Sequence, residues 1–146
     1  MTAISFLTPD HLTEAYAIER RCHAFPWSEQ TFASNQGERY LNLRLDVDGK
    51  MVGFAITQVV LDEASLFNIA VDPAYQRRGL GRQLLQHLIA ALQQRDVMTL
   101  WLEVRASNQP AIALYEQLEF HQVTRRPSYY PAASGREDAI IMALTL

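Results

Sequence analysis

The stretch Gln76-Arg77-Arg78-Gly79-Leu80-Gly81 decides the fold of this chain, because it follows a predicted strand and opens a predicted helix. The first backbone N–H groups of a helix have no helical acceptor and carry partial positive charge, so they bind anions. Glycines let a phosphate approach the backbone closely, and three arginines add full charges: Arg77, Arg78 and Arg82. The stretch therefore predicts a phosphate or pyrophosphate site, against the alternative of an ordinary helix start with solvated arginines.

Two familiar phosphate loops do not fit this stretch. A Walker A loop needs Gly-Lys followed by Ser or Thr, which the sequence lacks. A dinucleotide-binding fingerprint needs a third glycine where Leu84 stands, and it lies early in a parallel βαβ unit. Here the strands before the stretch are joined by short turns, so they are predicted to be antiparallel. We therefore expect an anion site of another kind.

Three consecutive antiparallel strands are predicted upstream of the stretch. Residues 41–47 alternate between apolar and polar side chains, which is typical of a half-buried strand. Asp48-Gly49 favours a tight hairpin turn, because such a turn needs positive φ, and residues 51–61 follow as the partner strand. Asp62-Glu63 then turns the chain into a strand over residues 65–71.

The remaining elements complete an α/β pattern. Thr8-Pro9-Asp10 is a typical helix start, with a capping hydroxyl followed by proline. Around the three strands, the predicted elements are helices over 8–23, 28–33, 79–94 and 108–118, a strand over 99–104, and final strands over 120–125 and 139–144 joined by a loop at Pro127–Gly135. The order βααβββαβαββ predicts an α/β sandwich, with one mixed central sheet and helices on both faces.

Length and charge narrow the class of protein. The 146 residues predict a single domain over 1–146, and the formal charge of −3 argues against a non-specific nucleic-acid binder. Cys22 is the lone cysteine, and the four histidines lack metal-ligand spacing, so we expect no metal and a reducing compartment. The N-terminus lacks a signal-peptide pattern and no apolar stretch is long enough to span a bilayer, which predicts a cytoplasmic protein.

Several motifs resemble the GCN5-related N-acetyltransferase (GNAT) superfamily. They are Asn68–Pro73, the Gln76-x-x-Gly79-x-Gly81 loop, and Asn108 followed by the helix Ala111–Glu116. The resemblance covers essentially the whole chain. It implies an acetyl-CoA-dependent acyltransferase in which two central parallel strands, here 65–71 and 99–104, splay apart so that acetyl-CoA enters between them.

The same resemblance implies a set of acetyl-CoA contacts. Backbone groups of Ile69, Ala70 and Val71 would pair with the acetyl and pantetheine parts like an added strand. Asn108 would contact the pantetheine, and the alternative role of its side chain is to cap the following helix. The pyrophosphate would be held by Gln76, Arg77, Arg78, Gly79, Leu80, Gly81 and Arg82.

Two catalytic residues are also implied by the resemblance. Attack of an amine on a thioester needs a base for the ammonium proton and an acid for the leaving thiolate. Glu103, on an otherwise apolar strand, matches the family's general base, and its alternative is an outward-facing residue paired with an arginine. Tyr115 matches the general acid, and its alternative is an aromatic packed against the sheet. The amine would attack directly in a ternary complex, because Cys22 is remote in sequence from the site strands.

Longer matches narrow the resemblance to the bacterial branch that acetylates the N-terminal alanine of small-subunit ribosomal protein eighteen. They are Phe25–Ser28, Asn35–Tyr40, Trp101–Arg105 and Gly135–Met142. The implied partner is a basic N-terminal segment, with no direct nucleic-acid or membrane contact. Trp27, Tyr129 and Tyr130 would form aromatic walls for it, and Asp62 and Glu63 would attract it. Alternatives are an acetyltransferase for a small-molecule amine or a lysine side chain, and a CoA-binding domain without turnover.

Three positions depart from the family pattern. Glu119 stands where a glycine commonly follows the tyrosine helix, and Asp96 replaces a common glycine before the second splayed strand. Pro110 is unusual, but proline is tolerated in the first turn of a helix. A non-glycine residue in the left-handed region costs about 1–2 kcal/mol. These departures affect local stability rather than the proposed reacting groups.

Overall fold

The order of helices and strands is the predicted βααβββαβαββ. The computed structural model describes residues 1–133 and 135–146. The strands are β1 (Thr2–Phe6), β2 (Leu43–Val47), β3 (Lys50–Val60), β4 (Glu63–Val71), β5 (Thr99–Arg105), β6 (His121–Ala132) and β7 (Gly135–Thr145). The helices are α1 (Leu12–Cys22), α2 (Glu29–Ser34), α3 (Leu80–Gln94) and α4 (Gln109–Gln117). The strands form one mixed sheet in the order β1-β2-β3-β4-β5-β7-β6.

The antiparallel half of the sheet, β1 to β4, is built on short turns. Asp48 and Gly49 both have positive φ, 51° and 83°, as the hairpin turn between β2 and β3 requires. In β2, Leu43 and Leu45 are buried while Arg44 and Asp46 are less so, which confirms the half-buried strand. The three predicted antiparallel strands are therefore confirmed.

Helices cover both faces of the sheet. One face carries the apolar stripe of α3, in which Leu84, Leu85, Leu88 and Leu92 are fully buried. The other face carries α1 and α2, where Ile18 and Phe32 pack on Phe54. Burying each such side chain contributes about 1.5–3 kcal/mol, so the two clusters fix the helices to the sheet.

The central parallel pair, β4 and β5, is joined over only part of its length. Glu63–Leu66 of β4 pairs with Thr99–Leu102 of β5. Beyond that point β5 stays paired with β7 as far as Arg105, and β4 stays paired with β3 as far as Val71. Because each strand follows its outer neighbour, the two diverge, and the predicted splay is confirmed.

The last two strands are longer than predicted, and the loop expected over Pro127–Gly135 is wrong. β6 continues to Ala132 as an exposed edge strand. Proline is tolerated there because an edge strand has no second neighbour that needs its N–H as a donor. A bulge between Arg126 and Tyr130 accommodates Ser128 at a φ of 51°. Ser134, which falls within the predicted loop, lies outside the described residues.

The N-terminal helix also begins differently. Pro9–His11 form a single 3-10 turn before α1, and Thr8 makes no capping bond, its hydroxyl lying 3.2 Å from His11 Nδ1 instead. Ser28 and Asn108 do cap α2 and α4 as expected. None of the helices in the described part of the chain is long and apolar enough to cross a membrane.

Candidate active site

Two cavities open where β4 and β5 diverge. The larger, about 600 Å³, reaches the start of α3 and is called the α3 cavity; the smaller, about 460 Å³, reaches the end of α1 and is called the α1 cavity. Both are lined by Ile69, Asn108 and Tyr115. The cleft therefore has two compartments that meet at these three residues.

The start of α3 has the geometry of an anion site. Gly79 adopts a φ of 75°, and the first helical bond runs from Gln83 N–H to Gly79 O at 3.1 Å. The N–H groups of residues 80–82 precede this bond and so have no acceptor within the helix. Partial positive charge and free donors thus meet at one end of the α3 cavity.

Nearly all the residues predicted to contact acetyl-CoA come together at the α3 cavity. Arg77 and Arg82 line it, and Arg82 also donates to Gln117. Arg78 differs, because it stacks over the ring of Tyr75 at 5.0 Å and does not line the cavity. The other predicted residues on the wall are Ile69, Ala70, Val71, Gln76, Gly79, Leu80, Gly81 and Asn108.

The free edge of β4 presents the backbone of alternate residues to the cleft. Asp72 N–H bonds to Val52 O of β3, and successive backbone groups of a strand point to opposite edges. The groups of Ile69 and Val71 therefore face the gap, while those of Ala70 face β3. The expectation of backbone pairing by Ala70 is corrected accordingly. Val71 O already accepts from Gln76 Nε2 at 2.9 Å, so the predicted phosphate residue Gln76 braces this edge.

Tyr115 lies at the junction of the cavities and is withdrawn from water. Its side chain packs on Phe120 and the residue is 6% exposed. Burial, with a smaller effect of nearby Tyr130, raises the pKa of Tyr115 to about 12. This phenol therefore stays protonated near neutral pH, and it lines both cavities.

Glu103 lines the α1 cavity together with Tyr115. Its side chain is 34% exposed, and Arg126 Nη1 lies 3.7 Å from Oε1, too far for a hydrogen bond. The alternative of pairing with an arginine is thus observed, but the contact is loose. Glu103 remains accessible from the cavity.

The predicted aromatic walls are only partly at the cleft. Trp27 and Tyr130 line the α1 cavity, whereas Tyr129 stacks edge-on to Tyr130 with ring centres 5.0 Å apart. Asp62 and Glu63 line neither cavity, and Glu63, where β4 is still paired with β5, accepts from Trp101 Nε1 at 3.1 Å. Neither Asp62 nor Glu63 is therefore placed to contact a peptide bound in the cleft, and their attraction of it stays a prediction.

Cys22 is remote in sequence but not in space. It lines the α1 cavity, and its Sγ lies 3.2 Å from Val71 O, to which the thiol donates. Burial first, and the negative charge of Asp72 second, raise the pKa of this thiol to about 11. The thiol is therefore protonated near neutral pH, which makes it a poor nucleophile.

Sequence reasoning missed five polar residues that line the α1 cavity: Glu19, His23, Asn68, Arg105 and Ser107. Glu19 had a readable signal, because it lies four residues after Ala15 and three before Cys22, on the buried stripe of α1. Arg105 stacks between Phe25 and Tyr130, with centroid distances of 5.2 and 4.6 Å. Such contacts join elements far apart in sequence, so local patterns do not reveal them.

Comparisons with known proteins agree with this geometry. The model of the acetyltransferase (GNAT) family matches residues 9–120. The chain belongs to the GNAT family. It is 68% identical over 146 residues to the ribosomal protein bS18-alanine N-acetyltransferase of Escherichia coli strain K12, covering all of this chain and 99% of that relative. A relative of the same name from Haemophilus influenzae is 50% identical over 147 residues, with both chains fully covered.

A solved GNAT structure has the same fold throughout. The crystal structure of the ribosomal-protein-S18-alanine N-acetyltransferase from Escherichia coli superposes with a TM-score of 0.98 at 69% identity, covering 99% of this chain and 94% of that one. The GNAT match ends at Phe120, before the β6–β7 hairpin that supplies Tyr130. The full-length relatives extend the likeness across that hairpin.

Proposed function

We propose that this GNAT acetyltransferase moves an acetyl group from acetyl-CoA to the N-terminal alanine of ribosomal protein bS18. The observation that carries the proposal is the meeting of the α1 and α3 cavities at Tyr115, which gives each substrate its own compartment. The full-length relatives with that substrate in their names support the choice of acceptor.

The α3 cavity suits CoA, the donor's carrier. Acetyl-CoA supplies an activated acetyl thioester. The free N–H groups at the start of α3, with Arg77 and Arg82, would hold its pyrophosphate, and Arg78, stacked on Tyr75 of the cavity wall, adds positive charge. The apolar side chains of Leu85 and Leu114 would pack on the pantetheine, while the backbone of Ile69 and Val71 would pair with its amides.

The α1 cavity suits the acceptor amine and its proton transfers. An α-amino group has a pKa near 8 in model peptides, so a modest base such as Glu103 suffices to take its proton. Tyr115 donates its hydroxyl proton to the sulfur as the C–S bond breaks and the new N–C bond forms. Glu103 holds the proton that nitrogen has lost, and exchange with water returns a proton to Tyr115 and removes the one on Glu103. Counted from the neutral amine, the net result is one proton moved from nitrogen to sulfur. Trp27 and Tyr130 would flank the first residues of the acceptor.

Intact-mass analysis tests this function. Unmodified ribosomal proteins are incubated with the enzyme and acetyl-CoA, and the mass of each is measured. We expect a gain of one acetyl group on bS18, lost when its N-terminus is chemically blocked. No gain on any ribosomal protein would contradict the proposed acceptor, and turnover of a small amine instead would favour the alternative substrate class.

A further inference from the structure

Glu19 is the most deeply buried charged side chain in the described part of the chain, at 1% exposure. It extends from α1 into the wall of the α1 cavity. A buried carboxylate is tolerated only when hydrogen bonds replace its lost water. Its partners therefore show what the carboxylate holds in place.

The carboxylate of Glu19 joins three separate parts of the cavity wall. Oε2 accepts from the backbone N–H of Trp27 at 2.8 Å, and Oε1 accepts from Asn68 Nδ2 at 2.8 Å. His23 Nε2 lies 3.3 Å from Oε1 and 3.1 Å from Asn68 Oδ1. The backbone of Trp27 has a second bond to α1, because its carbonyl accepts from Tyr16 OH at 2.8 Å.

These bonds connect the loop after α1 to the splayed part of β4. Trp27 lies on that loop, and Asn68 lies on β4 beyond its last pair with β5. Each oxygen of Glu19 accepts a hydrogen bond from one of these two residues, so its contacts fix the distance between two walls of the cavity.

We propose that Glu19 is a positioning residue for the acceptor, acting through Trp27 and Asn68 to set the shape of the α1 cavity. This inference rests on the proposed function, because it assigns that cavity to the acceptor. It implies that disturbing Glu19 weakens acceptor binding far more than acetyl-CoA binding, since the α3 cavity has no contact with Glu19.

The hydrogen bond between Glu19 and Asn68 can be tested by exchanging the carboxylate and the amide between the two positions. Glu19→Gln leaves one amide oxygen for two donors, so its new N–H₂ faces Trp27 N–H or Asn68 Nδ2 unless the Asn68 amide turns over, which gives up the contact of its Oδ1 with His23 Nε2. Asn68→Asp sets two carboxylates against each other. In the double variant the amide at position 19 donates to the carboxylate at position 68, its oxygen accepts from Trp27 N–H, and the new carboxylate still accepts from His23.

Steady-state kinetics with a peptide of the bS18 N-terminus measure the exchange. We expect each single variant to raise the KM for the peptide about 10-fold, with kcat and the KM for acetyl-CoA within about 3-fold of wild type. The double variant should recover the peptide KM to within about 3-fold of wild type. Glu14→Gln, an exposed site on the same helix, is the matched control and should change neither constant.

Each contrary outcome has a distinct meaning. A lower Tm with unchanged peptide KM in the single variants would overturn the inference in favour of a purely structural role. If a single variant does not fold, the double variant must fold and keep the wild-type KM, and its failure would also overturn the inference. Absence of turnover by the wild-type enzyme would instead contradict the proposed function, which is thereby tested separately.

Discussion

Tyr115 and Glu103 share one cavity but differ in their contact with water. Burial raises the pKa of Tyr115 to about 12, so its O–H persists throughout the neutral and mildly alkaline range. Glu103 is one-third exposed at 34% and only loosely contacted by Arg126. Tyr115 is thus held protonated inside the protein, whereas Glu103 remains open to the α1 cavity and to water.

Replacing Tyr115 tests its proposed role as the general acid. Tyr115→Phe keeps the packing on Phe120 and removes the hydroxyl, so kcat should fall about 100-fold while the Kd for acetyl-CoA stays near its wild-type value. In the wild type, deprotonation of Tyr115 should cause no loss of kcat up to pH 10, because its pKa is about 12. An unchanged kcat in the variant would remove Tyr115 from the mechanism.

The turn after α4 stores strain at Glu119. This residue has a φ of 76°, the left-handed conformation expected for the family glycine. Glu119→Gly should therefore stabilise the protein by about 1 kcal/mol in urea unfolding. Glu116→Gly, inside α4, is the matched control and should destabilise by a similar amount, because glycine weakens a helix interior. Destabilisation at both positions would contradict the strain argument.

Elements with strong local signals were predictable from the sequence. The Asp48-Gly49 turn, the leucine spacing of α3 and the cap at Asn108 are each encoded by residues a few positions apart in the sequence. The β6–β7 hairpin was mispredicted beyond residue 125, because Pro127 and its neighbours read as a loop while Arg136 and Asp138 hold the bulge from the opposite strand. The long final strands depend on this pairing, which local propensity does not encode.

Some residues of the candidate site were likewise predictable from local sequence, and others were not. Residues at the start of α3 were found because their glycines and arginines lie together in sequence. The position of Glu19 on the buried stripe of α1 is readable from the sequence, but its partner Asn68 lies 49 residues away, so only the fold shows that contact. The backbone direction of Ala70 likewise depends on its register with β3.

Charge at the start of α3 should govern CoA affinity. Arg77→Ala removes a guanidinium that lines the α3 cavity, so the Kd for CoA should rise about 10-fold in calorimetry. Its salt dependence should also weaken, since one fewer cation faces the phosphates. Arg95→Ala, just after the other end of α3, removes the same net charge and is the control. Equal weakening by both variants would indicate a general charge effect instead of a site.

At the scale of the molecule, Arg21 and Asp72 tie α1 to the end of β4 through a contact of 2.6 Å. Burial by itself would raise the pKa of Asp72, but the hydrogen bond from Ala74 and the pairing with Arg21 together hold it below its ordinary value. A lowered folded-state pKa contributes stability above the unfolded pKa, and this is lost as pH falls through the folded value.

Unfolding measured at several acidic pH values tests whether the contribution of Asp72 to stability is lost as pH falls. Asp72→Asn should be about 2 kcal/mol less stable than wild type near pH 7, and the gap should narrow as pH falls below about 4. Asp10→Asn, which removes an exposed carboxylate, is the control. A gap that stays constant down to pH 2 would show that the loss comes from packing and not from the charge of Asp72.

The splay of β4 and β5 leaves the two halves of the sheet joined by a backbone seam of Glu63–Leu66 with Thr99–Leu102. The backbone groups of Ile69 and Val71 that face the gap have no neighbouring strand to pair with. This part of the sheet should therefore open locally at a lower free energy than the rest in the ligand-free protein. If acetyl-CoA completes the ladder, binding adds to stability by mass action. Amide hydrogen exchange at these two residues should then slow in its presence, whereas exchange at Phe54, which is fully buried and pairs with Ala70 inside the sheet, should follow only global unfolding.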